Sequence, residues 1–198
     1  MTLYQLKPAF QSLLRPAVRR MEAMGITANQ VTVAACAISV ALGLGLYFLA
    51  PAPAWLALVS LWMLVRMAFN AVDGMLAREF GQQSRLGALL NELTDVLSDA
   101  ALYLPFARVV PFDGFWVGAV IVLAGLGEFA GALGPTIGAT RRYDGPMGKS
   151  DRALVFGVLA LWVAAGGALP PWSAVLMPMI ALLLLVTIAR RMRGALQA

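Results

Sequence analysis

Residues 31–50 read VTVAACAISVALGLGLYFLA, a run of 20 residues without a charged side chain. A helix rises about 1.5 Å per residue, so a run of this length matches the roughly 30 Å hydrocarbon core of a bilayer. The stretch therefore predicts a membrane-spanning helix, and it sets the class of fold expected for the whole chain.

The rest of the chain has the same apolar character. Of its 198 residues, 61% are hydrophobic and only 13% are charged, whereas about 25% of the residues of a soluble domain are charged. Further apolar segments follow the first one, at residues 54–69, 86–107, 115–140, 153–169 and 172–189. We therefore expect an all-α integral membrane domain with six transmembrane helices within residues 25–198.

Basic residues are concentrated in alternate connections between these spans. They precede the first span, lie between the second and third and between the fourth and fifth, and follow the sixth. Because positively charged connections stay on the cytoplasmic side of a membrane, both termini are expected in the cytoplasm. In so apolar a chain, the net charge of +5 favours a membrane surface as partner and argues against nucleic acid.

The N-terminal segment, residues 1–24, has a different pattern. Its apolar residues recur at helical spacing with basic residues between them: Leu6, Phe10, Leu13, Leu14, Ala17, Val18 and Met21. This pattern predicts an amphipathic helix in the cytoplasmic interface, and it lacks the compact apolar core of a signal peptide. Thr27 and Gln30 form a capping-box pattern that would open the first span.

The composition also limits the chemistry available to a site. The chain contains no histidine, and its only cysteine is Cys36. Histidine acid–base catalysis, histidine metal ligands, disulfides and cysteine metal clusters are therefore excluded. Any metal site must be built from oxygen ligands.

Six ionisable residues lie inside the spans or at their edges: Arg66, Asp73, Glu92, Asp95, Asp99 and Glu128. A charge at the centre of a membrane helix costs about 3 kcal/mol, so we expect these groups to meet one another, a cation or water. Arg66 is one candidate partner for Glu128. The alternative is that the acids form a buried hydrogen-bond network that only fixes helix packing.

The acids follow helical spacing on two consecutive spans. Residues 70, 73 and 77 share one face of the second span, and residues 87, 91, 95 and 99 share one face of the third. Because a short polar connection joins these spans, Asp73 and Asp95 are expected to converge near the cytoplasmic surface. Carboxylate and amide oxygens suit Mg²⁺, Mn²⁺ or Ca²⁺.

The same stretch resembles the signature of the CDP-alcohol phosphotransferases, D-x2-D-G-x2-A-R-x8-G-x3-D-x3-D. The chain reads Asn70-Ala-Val-Asp73-Gly74-Met-Leu-Ala77-Arg78, then eight residues, then Gly87-Ala-Leu-Leu-Asn91-Glu-Leu-Thr-Asp95. The spacing agrees throughout, but asparagines replace the first and third aspartates. The number of spans and the N-terminal helix also resemble that family, in particular a bacterial inner-membrane subgroup.

The resemblance implies transfer of a substituted phosphate group from a CDP-alcohol, usually CDP-diacylglycerol, to the hydroxyl of a small polar acceptor, with release of CMP. A divalent metal, Mg²⁺ or Mn²⁺ as one or two ions, would be held by Asp73 and Asp95 with the neutral ligands Asn70 and Asn91. Asp99 is a further candidate ligand, and Asp95 would also be the general base. The resemblance also implies a homodimer and a role in phospholipid biosynthesis.

Two further groups of residues follow from the resemblance. The nucleotide site would comprise Asn29, Thr32, Asp73, Gly74, Ala77, Arg78 and Gly87. The phosphate of a phosphorylated acceptor, or of the donor lipid, would be bound by Arg141, Arg142, Lys149 and Arg152.

Because two motif aspartates are missing, a relative that binds a CDP-lipid as a scaffold or sensor, without catalysis, is the alternative. A small transporter whose acids form an ion path is a third hypothesis, which predicts no cytidine binding.

Overall fold

The computed structural model of the protein describes the backbone of residues 3–49 and 52–198 and the side chains of residues 9–49 and 52–198. Residues 1 and 2 of the predicted N-terminal helix lie outside the described residues. The same is true of residues 50 and 51, at the end of the first predicted span and in the connection that follows it.

The described residues form seven α-helices and contain no β-strand, which confirms the all-α class. The helices are α1 (Leu3–Ala23), α2 (Ala28–Leu49), α3 (Ala57–Glu79), α4 (Arg85–Tyr103), α5 (Gly114–Ala132), α6 (Lys149–Ala164) and α7 (Leu176–Leu196). Short 3₁₀ turns occupy Pro53–Leu56, Leu104–Arg108, Gly134–Ile137 and Pro171–Val175.

Four helical segments of the described chain are long and apolar enough to cross a bilayer: Ala28–Leu49, Pro53–Glu79, Gly114–Ile137 and Pro171–Leu196. Helices α4 and α6 overlap the third and fifth predicted spans, although α6 begins at Lys149 and ends at Ala164, five residues before the predicted end of the fifth span. However, α4 carries four charged side chains and α6 has only 16 residues. Length and composition therefore support four spans, and a count of six stays a prediction.

Local sequence signals explain where several helices begin and end. The side chains of Thr27 and Gln30 each accept a hydrogen bond from the other's backbone N–H, at 3.3 and 2.9 Å, which confirms the predicted capping box. Ser84 caps α4 by accepting from the N–H of Gly87 at 2.9 Å. The third span was predicted to run to residue 107, but α4 ends at Tyr103, shortly before Pro105, which has no N–H to donate.

Helix α2 lies against both α3 and α4, α5 lies against α4 and α7, and α6 packs on α3. Helix α1 packs on α3, with Val18 fully buried in a small apolar cluster. Tyr103 stacks on Phe156 at a centroid distance of 3.9 Å and donates to Asp99 at 3.2 Å. The main apolar core therefore meets a polar cluster at Tyr103.

The contact between α2 and α4 depends on Gly43. A Cβ atom added there would overlap the carbonyl oxygen of Ala101, whereas a Cβ added at Gly45 would meet no atom within 4 Å. Because overpacking of a tight contact costs about 1–3 kcal/mol, we expect Gly43→Leu to lower the free energy of unfolding by that amount. Gly45→Leu is the matched control. Unfolding in mixed detergent micelles checks this prediction, and equal stability of the two variants would contradict it.

Candidate functional site

The first turn of α2 is fixed to the end of α3 and to the connection after it. Thr32 Oγ1 donates to Asp73 Oδ2 at 2.8 Å, and the N–H of Ala28 donates to Gln82 Oε1 at 2.7 Å. The structure therefore brings Thr32, predicted for the nucleotide site, into direct contact with an acid of the motif.

Two glycines of this region allow polar side chains to approach the helix backbone closely. A Cβ added at Gly87 would lie 2.7 Å from Asn29 Oδ1, and one added at Gly74 would lie 2.6 Å from Arg78 Nη2. Four residues predicted for the nucleotide site thus form two close pairs. Gly87 on α4 lies against Asn29 on α2, and Gly74 and Arg78 lie together on α3. Ala77 is partly buried against the apolar cluster that contains Val18, so it lies next to this region on the side facing α1.

Asp95 lies between two cations. Its Oδ1 accepts from Arg66 Nη2 at 3.0 Å, and its Oδ2 forms a salt bridge with Lys149 Nζ at 2.5 Å. Arg66 Nη2 also donates to the backbone carbonyl of Asp95 at 3.2 Å. The side chain of Lys149 is 32% exposed, whereas that of Arg66 is 8% exposed. The lysine therefore has room to move, and the arginine is enclosed.

Asp99, one turn further along α4, is paired with guanidinium groups. Arg66 Nη1 donates to its Oδ1 at 2.6 Å, and Arg152 Nη2 donates to its Oδ2 at 3.0 Å. Tyr103 donates to the same Oδ2. Both carboxylate oxygens are thus occupied in a buried site. This geometry differs from the expectation that Asp99 is a further metal ligand, because neither oxygen is available to an ion.

The predicted pair of Arg66 with Glu128 is wrong. Glu128 instead pairs with Arg152 at 3.0 Å and with Arg141 and Arg191 at 3.3 Å each. The reason is the helix arrangement. Arg66 on α3, which packs on α2 and α6, reaches the acids of α4 with its side chain, whereas Glu128 lies on α5, which packs on α4 and α7.

The four basic residues predicted to bind a phosphate have different environments. Lys149 reaches Asp95, which with Asp73 is called the acid site below. Arg141 forms salt bridges with Glu92 and Glu128. Arg142 lies in the connecting segment, where its hydrogen bonds hold the pKa of Asp144 below its ordinary value. Arg152 is only 1% exposed, and its guanidinium is bonded to internal carboxylates. Arg152 is therefore enclosed, whereas the sequence predicts that it contacts the phosphate of an acceptor.

Sequence reasoning assigned no site role to Arg66 or Arg191. The sequence predicts for Arg191 only a contribution to topology, yet it is 2% exposed and donates to the carbonyls of Gly127 and Asp144 at 2.5 and 3.2 Å. The one available signal was the position of Arg66 inside an apolar run, which requires a partner but does not identify it.

A groove of about 450 Å³ runs between α3 and α6 beside the acid site. Most of its wall is apolar: Met63, Leu64, Met67, Ala153, Leu154, Gly157, Val158 and Leu161. Its polar lining residues include Arg66, Asn70 and Lys149. The groove can therefore hold an amphiphile whose charged group lies next to Asp95.

The other motif asparagine, Asn91, does not line this groove and is exposed on α4.

The motif offers the oxygen donors that a divalent cation prefers. No group of three or more acids or cysteines that could hold a metal ion comes together within the described residues. Asp73 and Asp95 provide two negative charges, which balance one dication. Asp73 Oδ2 is held by Thr32, and Asp95 Oδ2 is held by a lysine that has room to move. Asn70 and Asn91 add amide oxygens, which hard cations accept.

Comparison with solved structures gives the same fold. Phosphatidylinositol phosphate synthase of Mycobacterium tuberculosis, solved with CDP-DAG bound, superposes with a TM-score of 0.75 at 22% sequence identity, over 91% of this chain and 92% of that chain. The same synthase, solved with manganese and citrate, gives a TM-score of 0.72 at 23% identity, over 91% of this chain and 87% of that chain.

Sequence comparison identifies the family. The inner membrane protein YnbA of Escherichia coli is 47% identical over 196 residues, which cover 99% of this chain and 97% of that protein. The profile of the CDP-alcohol phosphatidyltransferase family matches residues 25–189, which include α2 to α6 and most of α7. The chain therefore belongs to the CDP-alcohol phosphatidyltransferase family.

Proposed function

We propose that this protein transfers the phosphatidyl group of CDP-diacylglycerol to the hydroxyl of a small polar acceptor, releasing CMP, in phospholipid biosynthesis. The observation that carries this proposal is the position of the two motif acids. Asp73 accepts from Thr32 of the predicted nucleotide region, and Asp95 is bonded to Arg66 and Lys149, which line the apolar groove. A transferase acting on a lipid-linked nucleotide needs these three features side by side.

The two parts of the donor suit different surfaces of this site. The cytidine and diphosphate would lie near Asn29, Thr32, Gly74, Arg78 and Gly87, where small residues allow close approach to the helices. The planar guanidinium of Arg78 suits a phosphate. The acyl chains would lie along the groove between α3 and α6. In support, a protein of the same fold has been solved with CDP-DAG bound.

The motif residues Asp73 and Asp95, with Asn70 and Asn91, would hold the divalent ion, which we propose to be Mg²⁺ or Mn²⁺. A solved relative of the same fold contains manganese. When bound, such an ion supplies positive charge that stabilises the diphosphate as CMP leaves.

Asp95 is the general base of the proposed reaction. It takes the proton of the acceptor hydroxyl while that oxygen forms a bond to the phosphatidyl phosphorus. The bond from this phosphorus to the bridging oxygen breaks, and CMP leaves with that oxygen. Arg66 holds Asp95 Oδ1 and Lys149 covers Oδ2, so both the acceptor hydroxyl and the ion have to approach this carboxylate from the side of Oδ2. Lys149 therefore has to move to an anionic group of the substrate before transfer.

This role for Lys149 predicts which acceptors are used. With a phosphorylated acceptor, we expect Lys149→Ala to raise KM by about 10- to 100-fold, since a hydrogen bond to a charged group contributes about 1.5–3 kcal/mol. With an uncharged acceptor the change should be small. Steady-state CMP release with inositol phosphate and with inositol checks this. Equal KM changes for both acceptors would contradict the role, and Arg190→Ala, on the exposed end of α7, is the control.

We also propose the arrangement of the chain in the membrane. All six helices α2 to α7 cross the inner membrane of the bacterium, α1 lies in the cytoplasmic interface, and both termini are cytoplasmic. The distribution of basic residues supports this orientation, and the relative YnbA is named an inner membrane protein. We further propose that the protein acts as a homodimer.

The proposed activity can be tested with purified protein in lipid nanodiscs. The protein is incubated with CDP-diacylglycerol, with Mg²⁺ or Mn²⁺, and with glycerol 3-phosphate, inositol phosphate, inositol or serine in turn. We expect CMP only when both metal and a suitable acceptor are present. Tight binding of CDP-diacylglycerol without CMP release for any acceptor would instead favour the scaffold or sensor function.

A further inference from the structure

Arg66 is the cation most firmly held beside the acid site, although it lies outside the motif. Its side chain is 8% exposed, and both terminal nitrogens are bonded to carboxylates of α4. Nη1 donates to Asp99 at 2.6 Å, and Nη2 donates to the Oδ1 and the backbone carbonyl of Asp95. A guanidinium is charged at every accessible pH, so Asp95 always has a positive neighbour.

The surrounding network prevents Arg66 from turning away. Asp99, which holds one end of its guanidinium, is itself held by Arg152 at 3.0 Å and by Tyr103 at 3.2 Å. Arg152 is anchored by Glu128 at 3.0 Å and by the carbonyl of Met147 at 3.1 Å. Movement of Arg66 would leave the buried carboxylate of Asp99 without one of its partners, which is costly in an apolar environment.

This arrangement limits what Asp95 can offer to a metal. Its Oδ1 is directed at Arg66, and only Oδ2 is shared with a side chain that has room to move. A bridge with one carboxylate oxygen on each ion needs both Oδ1 and Oδ2, so Asp95 cannot form that bridge while Arg66 is in place. The charges agree with the geometry, because a second dication would add positive charge to a site with two motif carboxylates and a fixed guanidinium.

We propose that this site binds a single divalent ion and that Arg66 supplies to Asp95 the positive charge that a second ion would otherwise provide. Arg66 is thus a positioning residue: it fixes Asp95 and sets the metal stoichiometry. This inference rests on the metal requirement in the proposed function, and it adds the number of ions and the residue that determines it.

Metal stoichiometry tests the inference directly. Purified protein in nanodiscs is titrated with Mn²⁺, and free Mn²⁺ is measured by electron paramagnetic resonance. We expect one ion per chain for the unchanged protein and for Asn70→Asp/Asn91→Asp, because the added carboxylates do not release Asp95 Oδ1. Adding Arg66→Met and Asp99→Asn to that pair removes the guanidinium and one opposing charge together, and two ions per chain are then expected.

Two controls separate the role of Arg66 from a general loss of structure. Arg66→Lys keeps a cation beside Asp95 in the Asn70→Asp/Asn91→Asp background and should keep the count at one. Arg15→Met in the same background removes an arginine whose salt bridge to Glu79 is exposed, and it should also leave the count at one. Size-exclusion chromatography identifies folded samples, and the titration of the unchanged protein needs no variant.

Two ions, or none, bound to the unchanged protein would overturn the inference, as would a count of one in the folded variant that carries Arg66→Met and Asp99→Asn together with Asn70→Asp and Asn91→Asp. CMP release measured on the same samples separates this result from the proposed function. One bound ion without CMP release would overturn the function alone, and CMP release with two bound ions would overturn only the stoichiometry.

Discussion

Asp95→Asn is expected to lower the rate of CMP release by about 10²- to 10⁴-fold, the range for loss of a general base, while the protein still folds. The amide oxygen can keep the hydrogen bond from Arg66 Nη2, which holds Oδ1 at 3.0 Å. The amide has no basic oxygen for the acceptor proton. Single-turnover release of CMP from CDP-diacylglycerol measures the effect.

The control for this variant is Glu79→Gln, which changes an exposed carboxylate at the end of α3 that pairs only with Arg15 among the described residues. It should release CMP at the unchanged rate. If Asp95→Asn kept that rate as well, Asp95 would not be the base, and another group would have to accept the proton.

Asp99→Ala is expected to lower the free energy of unfolding by about 3–5 kcal/mol, the cost of breaking a buried ion pair by removing one partner. Its carboxylate is bonded to Arg66 and Arg152, whose side chains are 8% and 1% exposed. Both guanidinium groups would remain buried with fewer counter-charges. Unfolding in mixed micelles of mild and denaturing detergent measures the change.

A second ion pair of the same chain provides the comparison. The side chains of Arg15 and Glu79 are 42% and 36% exposed, and an exposed pair contributes about 0–1 kcal/mol. Glu79→Ala should therefore unfold almost like the unchanged protein. Equal stability losses for Asp99→Ala and Glu79→Ala would show that the buried network does not stabilise the fold.

Local features of the fold could be predicted from sequence because they depend on neighbouring residues. An uncharged run indicated α2, and the Thr27–Gln30 capping box appears as predicted. Helical spacing placed Asn70 and Asp73 on one face and Asn91 and Asp95 on another. The ends of helices were less predictable, since Pro105 ends α4 earlier than hydrophobicity alone suggested.

The ion pairs could not be predicted, because they depend on which helices are neighbours. Arg66 and Glu128 each require a partner of opposite charge inside the membrane, and the sequence offers each as a candidate for the other. The structure instead pairs Arg66, on α3, with Asp99 on α4, and it places Glu128 among arginines from the segment before α6, from α6 and from α7. Sequence spacing on one helix does not contain that information.

The environments of the four basic residues predicted to bind a phosphate could not be predicted from sequence for the same reason. A basic cluster that leads into a span indicates phosphate binding or topology equally well. Burial separates its members: Lys149 is partly exposed at Asp95, whereas Arg152 is enclosed by Asp99 and Glu128. Arg152 is therefore best assigned to holding the network that fixes Arg66.

The most direct test of phosphatidyl transfer at this site is the balance of its two products. Purified protein in nanodiscs is supplied with CDP-diacylglycerol, a divalent metal and each acceptor, and CMP and new lipid are quantified together by mass spectrometry. Equal amounts of CMP and a phosphatidyl-acceptor lipid are predicted for at least one acceptor. CMP without a new lipid, or bound CDP-diacylglycerol that yields neither product, would contradict transfer.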